Sequence, residues 1–254
     1  MDYNVTMNSN FRQSGNAFFI ILIAVALFAA LSYAVSSSNR GGGNSALNEK
    51  AKANASAIID FSASLRIALS RIKTIHGCTD DIFDFSNSIY QRNDGTPPPG
   101  LSPNVNAPTD KRCHLFDLAG GAQTPIIPVA SALVPDPSAV ATSTKPGHGA
   151  IFVHQIKGVG TDGPAGTVSA NDIVLRIVFI NKETCLAINN LLGVTNPSGA
   201  PAPYAFTGTS GSYANGTLTG TAILSSPELD GHMDFCMTSG SGDSFVYFTT
   251  LVAR

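Results

Sequence analysis

Four cysteines, Cys78, Cys113, Cys185 and Cys236, carry the clearest potential for chemistry in this chain of 254 residues. No two of them stand at the C-x-x-C spacing of a zinc or dithiol redox site. An even number of cysteines outside the cytoplasm reads as two disulfides. Four cysteines allow three pairings, and sequence does not choose among them. The favoured pairing joins neighbours within each half, Cys78 with Cys113 and Cys185 with Cys236. It closes loops of roughly 35 and 51 residues, each worth roughly 3–4 kcal/mol in the chain-entropy picture. The alternative is four buried free thiols.

The five histidines are His76, His114, His148, His154 and His232, and no pair has H-x-x-x-H spacing. His76-Gly77-Cys78 and Cys113-His114 would make a zinc set if Cys78 and Cys113 met as thiolates. Neither short spacing is usual for zinc, and a disulfide competes for the same sulfurs. Asp80, Asp81 and Asp84 could offer carboxylates to calcium; standing just after a helix exit, they read better as solvating groups. Gly158-Val159-Gly160-Thr161-Asp162-Gly163 fits G-x-G-x-x-G. A dinucleotide site needs a helix to start there, whereas Pro164 and Gly166 follow, so the segment reads as a turn. No G-x-S-x-G nucleophile elbow is present. The sequence shows no catalytic constellation, and the expectation is a protein that is not an enzyme, with no cofactor and no metal.

The elements that position these residues begin with an apolar run. Residues 17–35 carry no charge, and an apolar helix needs roughly 20 residues to cross a ~30 Å hydrocarbon layer. A transmembrane helix over 16–35 is therefore expected. Ser32-Tyr33-Ala34 could be a signal-peptidase site, but the apolar stretch before it is at the long end for a cleaved signal and its basic start is weak. The junction Arg12-Gln13-Ser14-Gly15 followed by Asn16-Ala17-Phe18-Phe19-Ile20 resembles the leader junction of bacterial type IV prepilins. The resemblance covers about 25 residues. It implies cleavage between Gly15 and Asn16, making residues 1–15 a leader or cytoplasmic tail, and retention of the helix. Most pilins have Glu fifth after the cut, where this chain has Ile20, and Phe first, where it has Asn16. Some minor, pseudopilin-type subunits lack the Glu.

Residues 36–44 contain three consecutive glycines, which oppose helix by about 1 kcal/mol each, and read as a linker. An amphipathic helix follows over 45–77. Ile58, Phe61, Leu65, Leu69, Ile72 and Ile75 step by three or four along one face, and Gly77 ends it. Its first part, rich in alanine, could pack on its own domain, on a neighbour's helix, or project. Residues 78–147 are loop-rich, with a short strand at 82–85 and extended proline-containing excursions. Residues 148–254 form a β-rich head. Strands are expected at 150–157, 172–180, 204–207, 217–224, 233–237 and 245–252. One helix over 182–192 interrupts them, capped by Asn181 and stopped by Gly193, with Cys185 facing inward. The fold class is α+β with a mostly antiparallel sheet. A late disulfide in such a head adds to the pilin resemblance.

Only 13% of residues are charged and the net charge is −2, which gives no electrostatic reason to bind nucleic acid. Lys and Arg counts weakly favour a cytoplasmic carboxyl-terminal domain; the cysteines and hydroxyl-rich surface favour the outside. The expectation is a single-pass protein of the bacterial inner membrane with its head outside the cytoplasm, or in a surface filament. Its expected partners are the lipid bilayer and other pilin-like subunits or envelope proteins. Its role would be that of a minor pilin-like or pseudopilin component of a filament or secretion apparatus. The alternative is a monomeric anchored or secreted binding domain, and an envelope enzyme is a third class.

Overall fold

The computed structural model describes residues 15–90, 97, 100–134, 151–159, 171–204, 206–208, 211–213, 220–224, 226–240 and 244–254, without side chains at 15–18, 33–45 and 212. The chain divides into two units, Met1–Leu47 and Asn48–Arg254. Helix α1, Gly15–His76, enters both. In the first unit it carries Phe19, Ile20, Ile21, Leu22, Ile23, Val25, Leu27, Phe28 and Leu31, between 43% and 76% exposed. The expected transmembrane helix over 16–35, and with it the inner-membrane placement, is corrected here. Among the described residues no helix is long and apolar enough to cross a membrane. The leader segment before Gly15 lies outside the described residues. Where the sequence leads one to expect a linker, α1 continues through 36–44 as helix.

In the second unit α1 buries one face. Ala51, Ala55, Ile58, Phe61, Leu65, Ala68, Leu69 and Ile72 recur at three- and four-residue steps and belong to one apolar core. Ile75, expected on that face, is exposed. Asn54 Nδ2 donates to Ser131 Oγ at 3.2 Å. Arg66 reaches Asp234 with one Nη, 2.7 Å from Oδ1 and 2.8 Å from Oδ2. Gly77, at φ +64°, stops the helix in the left-handed conformation that glycine adopts most cheaply.

The strands are β1 (Ile151–Lys157), β2 (Asn171–Ile180), β3 (Phe206–Thr207), β4 (Gly211–Ser212), β5 (Ile223–Leu224), β6 (Asp234–Thr238) and β7 (Phe245–Val252). They form one sheet in the order β3-β5-β1-β2-β7-β6, with β4 also paired to β1. All pairings are antiparallel except the single rung between β1 and β5, Lys157 to Ile223. Helix α2, Lys182–Leu192, begins at Asn181, whose side chain accepts from the Thr184 N–H, and ends at Gly193 at φ 72°. These caps stand where the sequence places them. The segment at 82–85 is not a strand; Asp84 makes an isolated parallel bridge with His114. β5 covers only the end of the expected 217–224 strand, of which 217–219 lie outside the described residues.

Period-two alternation divides the sheet's two faces. Ile151, Val153, Ile173, Leu175, Ile177, Tyr247 and Leu251 share a core with α1 and α2. Phe152, Ile156, Val174, Val178, Val246 and Phe248 form a second core with Val194, Ala202 and Leu229. Both disulfides have the expected pairing. Cys78 and Cys113 join the exit of α1 to the loop region, with Cα atoms 5.8 Å apart. Cys185 and Cys236 join α2 to β6, at 5.4 Å.

Candidate functional site

The loop region uses its acidic residues internally. The Asp84 carboxylate accepts from the Ser86 N–H at 2.7 Å and the Asn104 N–H at 2.8 Å. His114 Nε2 lies 3.8 Å from its second oxygen. Asn104 Nδ2 donates to the carbonyls of Asp81 and Phe83. Asp80 meets Lys73 at 2.8 Å and Arg254 at 3.5 Å. These contacts brace a segment that has no regular strand of its own among the described residues. Cys78 and Cys113 are bonded to one another, so they are not thiolate ligands beside His76 and His114. Among the described residues no three His, Cys, Asp or Glu side chains converge on a metal position. Of the glycine motif, Gly158 turns at φ +77° and the Val159 N–H donates to Asp172 Oδ2 at 3.1 Å; 160–163 lie outside the described residues. A cavity of about 680 Å³ opens beside Ser86, Asn87, Leu101, Lys111, His114 and Asp117. Its Lys111 and Asp117 pair with each other at 3.1 Å. The Ala119 N–H, and then Lys111, hold the Asp117 carboxyl below its usual range.

The second cavity, about 420 Å³, lies on the sheet face away from α1. Its floor is a row across three strands. Phe152 on β1 pairs in register with Arg176 on β2, and Arg176 with Phe248 on β7. The Arg176 guanidinium carbon sits 5.5 Å from the Phe152 ring centre and 5.7 Å from that of Phe248. Such cation–π contacts grow stronger as water is removed. Its Nε is buried without a hydrogen-bond partner, and among the described residues no carboxylate is paired with it. Burial lowers its pKa to about 10, so it keeps its charge at neutral pH. His154, two residues after Phe152, is 6% exposed. Among the described residues neither ring nitrogen has a hydrogen-bond partner. Burial first, then the Arg176 charge, push its pKa well below the ordinary value. The Gly211 carbonyl acts in the opposite direction without a hydrogen bond of normal geometry. The imidazole is neutral at pH 7.

A bulge shapes the wall. Between Ile177 and Ile180, β2 carries one residue more than β7 does between Tyr247 and Phe245. Phe179, inside that bulge, has φ +63°, an uncommon conformation for a bulky side chain. Phe179 lines the cavity together with Val178, Val246, Tyr204 and Ser244. Ser244 Oγ donates to Ser239 Oγ at 3.2 Å.

Neither Arg176 nor His154 is singled out by motif reasoning. A signal was present: Arg176 interrupts a strand whose neighbours at two-residue spacing, Val174 and Val178, are buried and apolar. A charge at such a position must either find a partner or serve a ligand. No protein-family model, curated protein or solved structure matches this chain.

Proposed function

We propose that this protein is a structural subunit of the pilin-like or pseudopilin kind, a minor one, that assembles through its amino-terminal helix with the helices of like subunits. The observation that carries the reading is the run of exposed large apolar residues over 19–32 of α1. An all-round apolar helix surface is not stable in water. Neighbouring helices of the same character would cover it, with Ala24, Ala26, Ala29 and Ala30 allowing close approach. Two disulfides in the second unit fit an oxidising compartment. The absence of Glu at Ile20 fits a minor subunit better than a bulk one. The test is amino-terminal sequencing of protein from its native host, joined to cross-linking from a cysteine at exposed Asn48. A start at Asn16 and trapping of a second subunit support the reading. A start at Met1, with monomer alone recovered, overturns it. Phe28→Lys should abolish the cross-link while leaving the head folded. A second reading, a ligand-binding domain, is favoured by one observation, the Arg176 cavity.

A further inference from the structure

We propose that the cavity over Arg176 binds a monocarboxylate carried on a compact apolar body. This goes beyond assembly and does not depend on it. Among the described residues the cavity supplies one formal positive charge. Arg176 is cationic, and His154, a titratable group that also lines the cavity, is neutral. Tyr204 and Ser244 add hydroxyl groups. One cation with no paired carboxylate among the described residues matches one anionic charge; a phosphate dianion would leave a buried excess of negative charge. The guanidinium is a planar fork that suits a carboxylate bidentately. Phe152 and Phe248 flank it on both neighbouring strands and limit its swing. The remaining wall, Val178, Phe179 and Val246, offers apolar surface to the rest of the ligand. A volume of about 420 Å³ falls toward the small end of the ~300–1,000 Å³ usual for small-molecule sites.

The unpartnered polar atoms make the same point energetically. Among the described residues, Arg176 Nε and both nitrogens of His154 are buried without hydrogen bonds, an arrangement that costs stability. A packing role alone would be filled better by apolar residues at both positions. Phe179 adds a strained backbone at the cavity wall, and strain of this kind gathers at binding sites.

The experiment uses the full chain at pH 7 and three probes: benzoate, benzyl alcohol and inorganic phosphate. Calorimetry and the His154 ring proton resonances are followed together. Benzoate is expected to bind saturably, at least tenfold more tightly than benzyl alcohol, and to shift His154 with the same dissociation constant. Phosphate is expected neither to bind there nor to displace benzoate. Arg176→Met, which keeps a chain between the two rings, should weaken benzoate at least tenfold and leave benzyl alcohol unchanged. Arg176→Lys should recover part of the loss. Equal affinity for benzoate and benzyl alcohol overturns the proposal, as does displacement by phosphate or no benzoate binding at all. Should Arg176→Met fail to fold, the unmodified protein still decides, because a benzoate-induced shift that misses His154 places the ligand elsewhere.

Discussion

Replacing Asn189 by Leu should remove the protection of an exposed sheet edge at little change in volume. β6 is the outermost strand on its side, with β7 its one neighbouring strand among the described residues and Ala202 bridged to Met237. The Cys236 backbone therefore turns its N–H and C=O away from the sheet, where an unprotected edge invites foreign strands. Asn189, fully buried on α2, fills that position. Its Oδ1 accepts the Cys236 N–H at 2.8 Å, and its Nδ2 donates to the Cys236 carbonyl at 2.9 Å and to Asn196 Oδ1 at 2.8 Å. Leu removes all three bonds and strands two buried backbone groups, each costing about 1–3 kcal/mol. The apolar gain of Leu offsets part of this, leaving a loss of about 3–4 kcal/mol. Against a domain stability of about 5–15 kcal/mol this is large. With a urea slope near 2 kcal/mol per molar, the unfolding midpoint should fall by about 1.5–2 M. Amide exchange gives a second readout. The Cys236 N–H should exchange faster, while that of Thr238, which donates to the Ala202 carbonyl at 2.9 Å, should change little. A midpoint shift worth less than about 1 kcal/mol would refute the reasoning, for it would mean that water or a shifted α2 replaces the side chain at no cost.

Removing the second disulfide by Cys185→Ala with Cys236→Ala should cost roughly 4 kcal/mol, from the 51-residue loop it closes; non-reducing peptide mapping of the parent protein should recover the Cys185–Cys236 peptide. Gly100→Ala should cost more than about 3 kcal/mol, because Gly100 sits at φ +81° and a Cβ there would lie 1.9 Å from the Val153 carbonyl oxygen, which also accepts the Tyr213 N–H; thermal unfolding reads the loss. Stability should fall with acid below pH 6.5. His154 is held neutral in the fold with Arg176 facing it, so the unfolded chain binds a proton that the folded chain does not. The slope approaches about 1.4 kcal/mol per pH unit and ends at the lowered folded-state value. His154→Gln should flatten that part of the urea-midpoint profile against pH.

Where residue type and spacing act locally, the sequence could be read. Asn181 and Gly193 bracket α2 through contacts within one turn, and β1, β2, β6 and β7 are long enough for alternation to show. β4 and β5 are two residues each, below the length at which a period can be recognised. Ala51 and Ala55 look like weak anchors, and a helix projecting from the head was one reading. Both are buried in the head's own core, since a small side chain marks close approach as readily as it marks exposure. Ala55 is thus closed to cross-linking with a neighbour, whereas Asn48 stays exposed. The apolar run over 17–35 was legible as apolar, but its length was over-read as a bilayer span. Arg176 escaped notice because its meaning depends on Phe152 and Phe248, which come from strands distant in sequence and meet only in the sheet.

The sheet is threaded so that its last strand in sequence is not its last in space. β7 lies between β2 and β6, and the α1 face that ends near Ile72 packs in the same core as Tyr247 and Leu251. A chain emerging from its amino end brings Phe83, Phe85 and Leu115 to that core early, but Tyr247 and Leu251 appear only about 170 residues later. At roughly 5–20 residues per second, the wait is on the order of ten seconds or more. Neither core can close in the meantime, and α2 and β6 can oxidise their cysteines before β7 arrives to fix the strand between them. A chain released short of residue 245 lacks the strand that joins β2 to β6, and both cores lose the residues that strand brings.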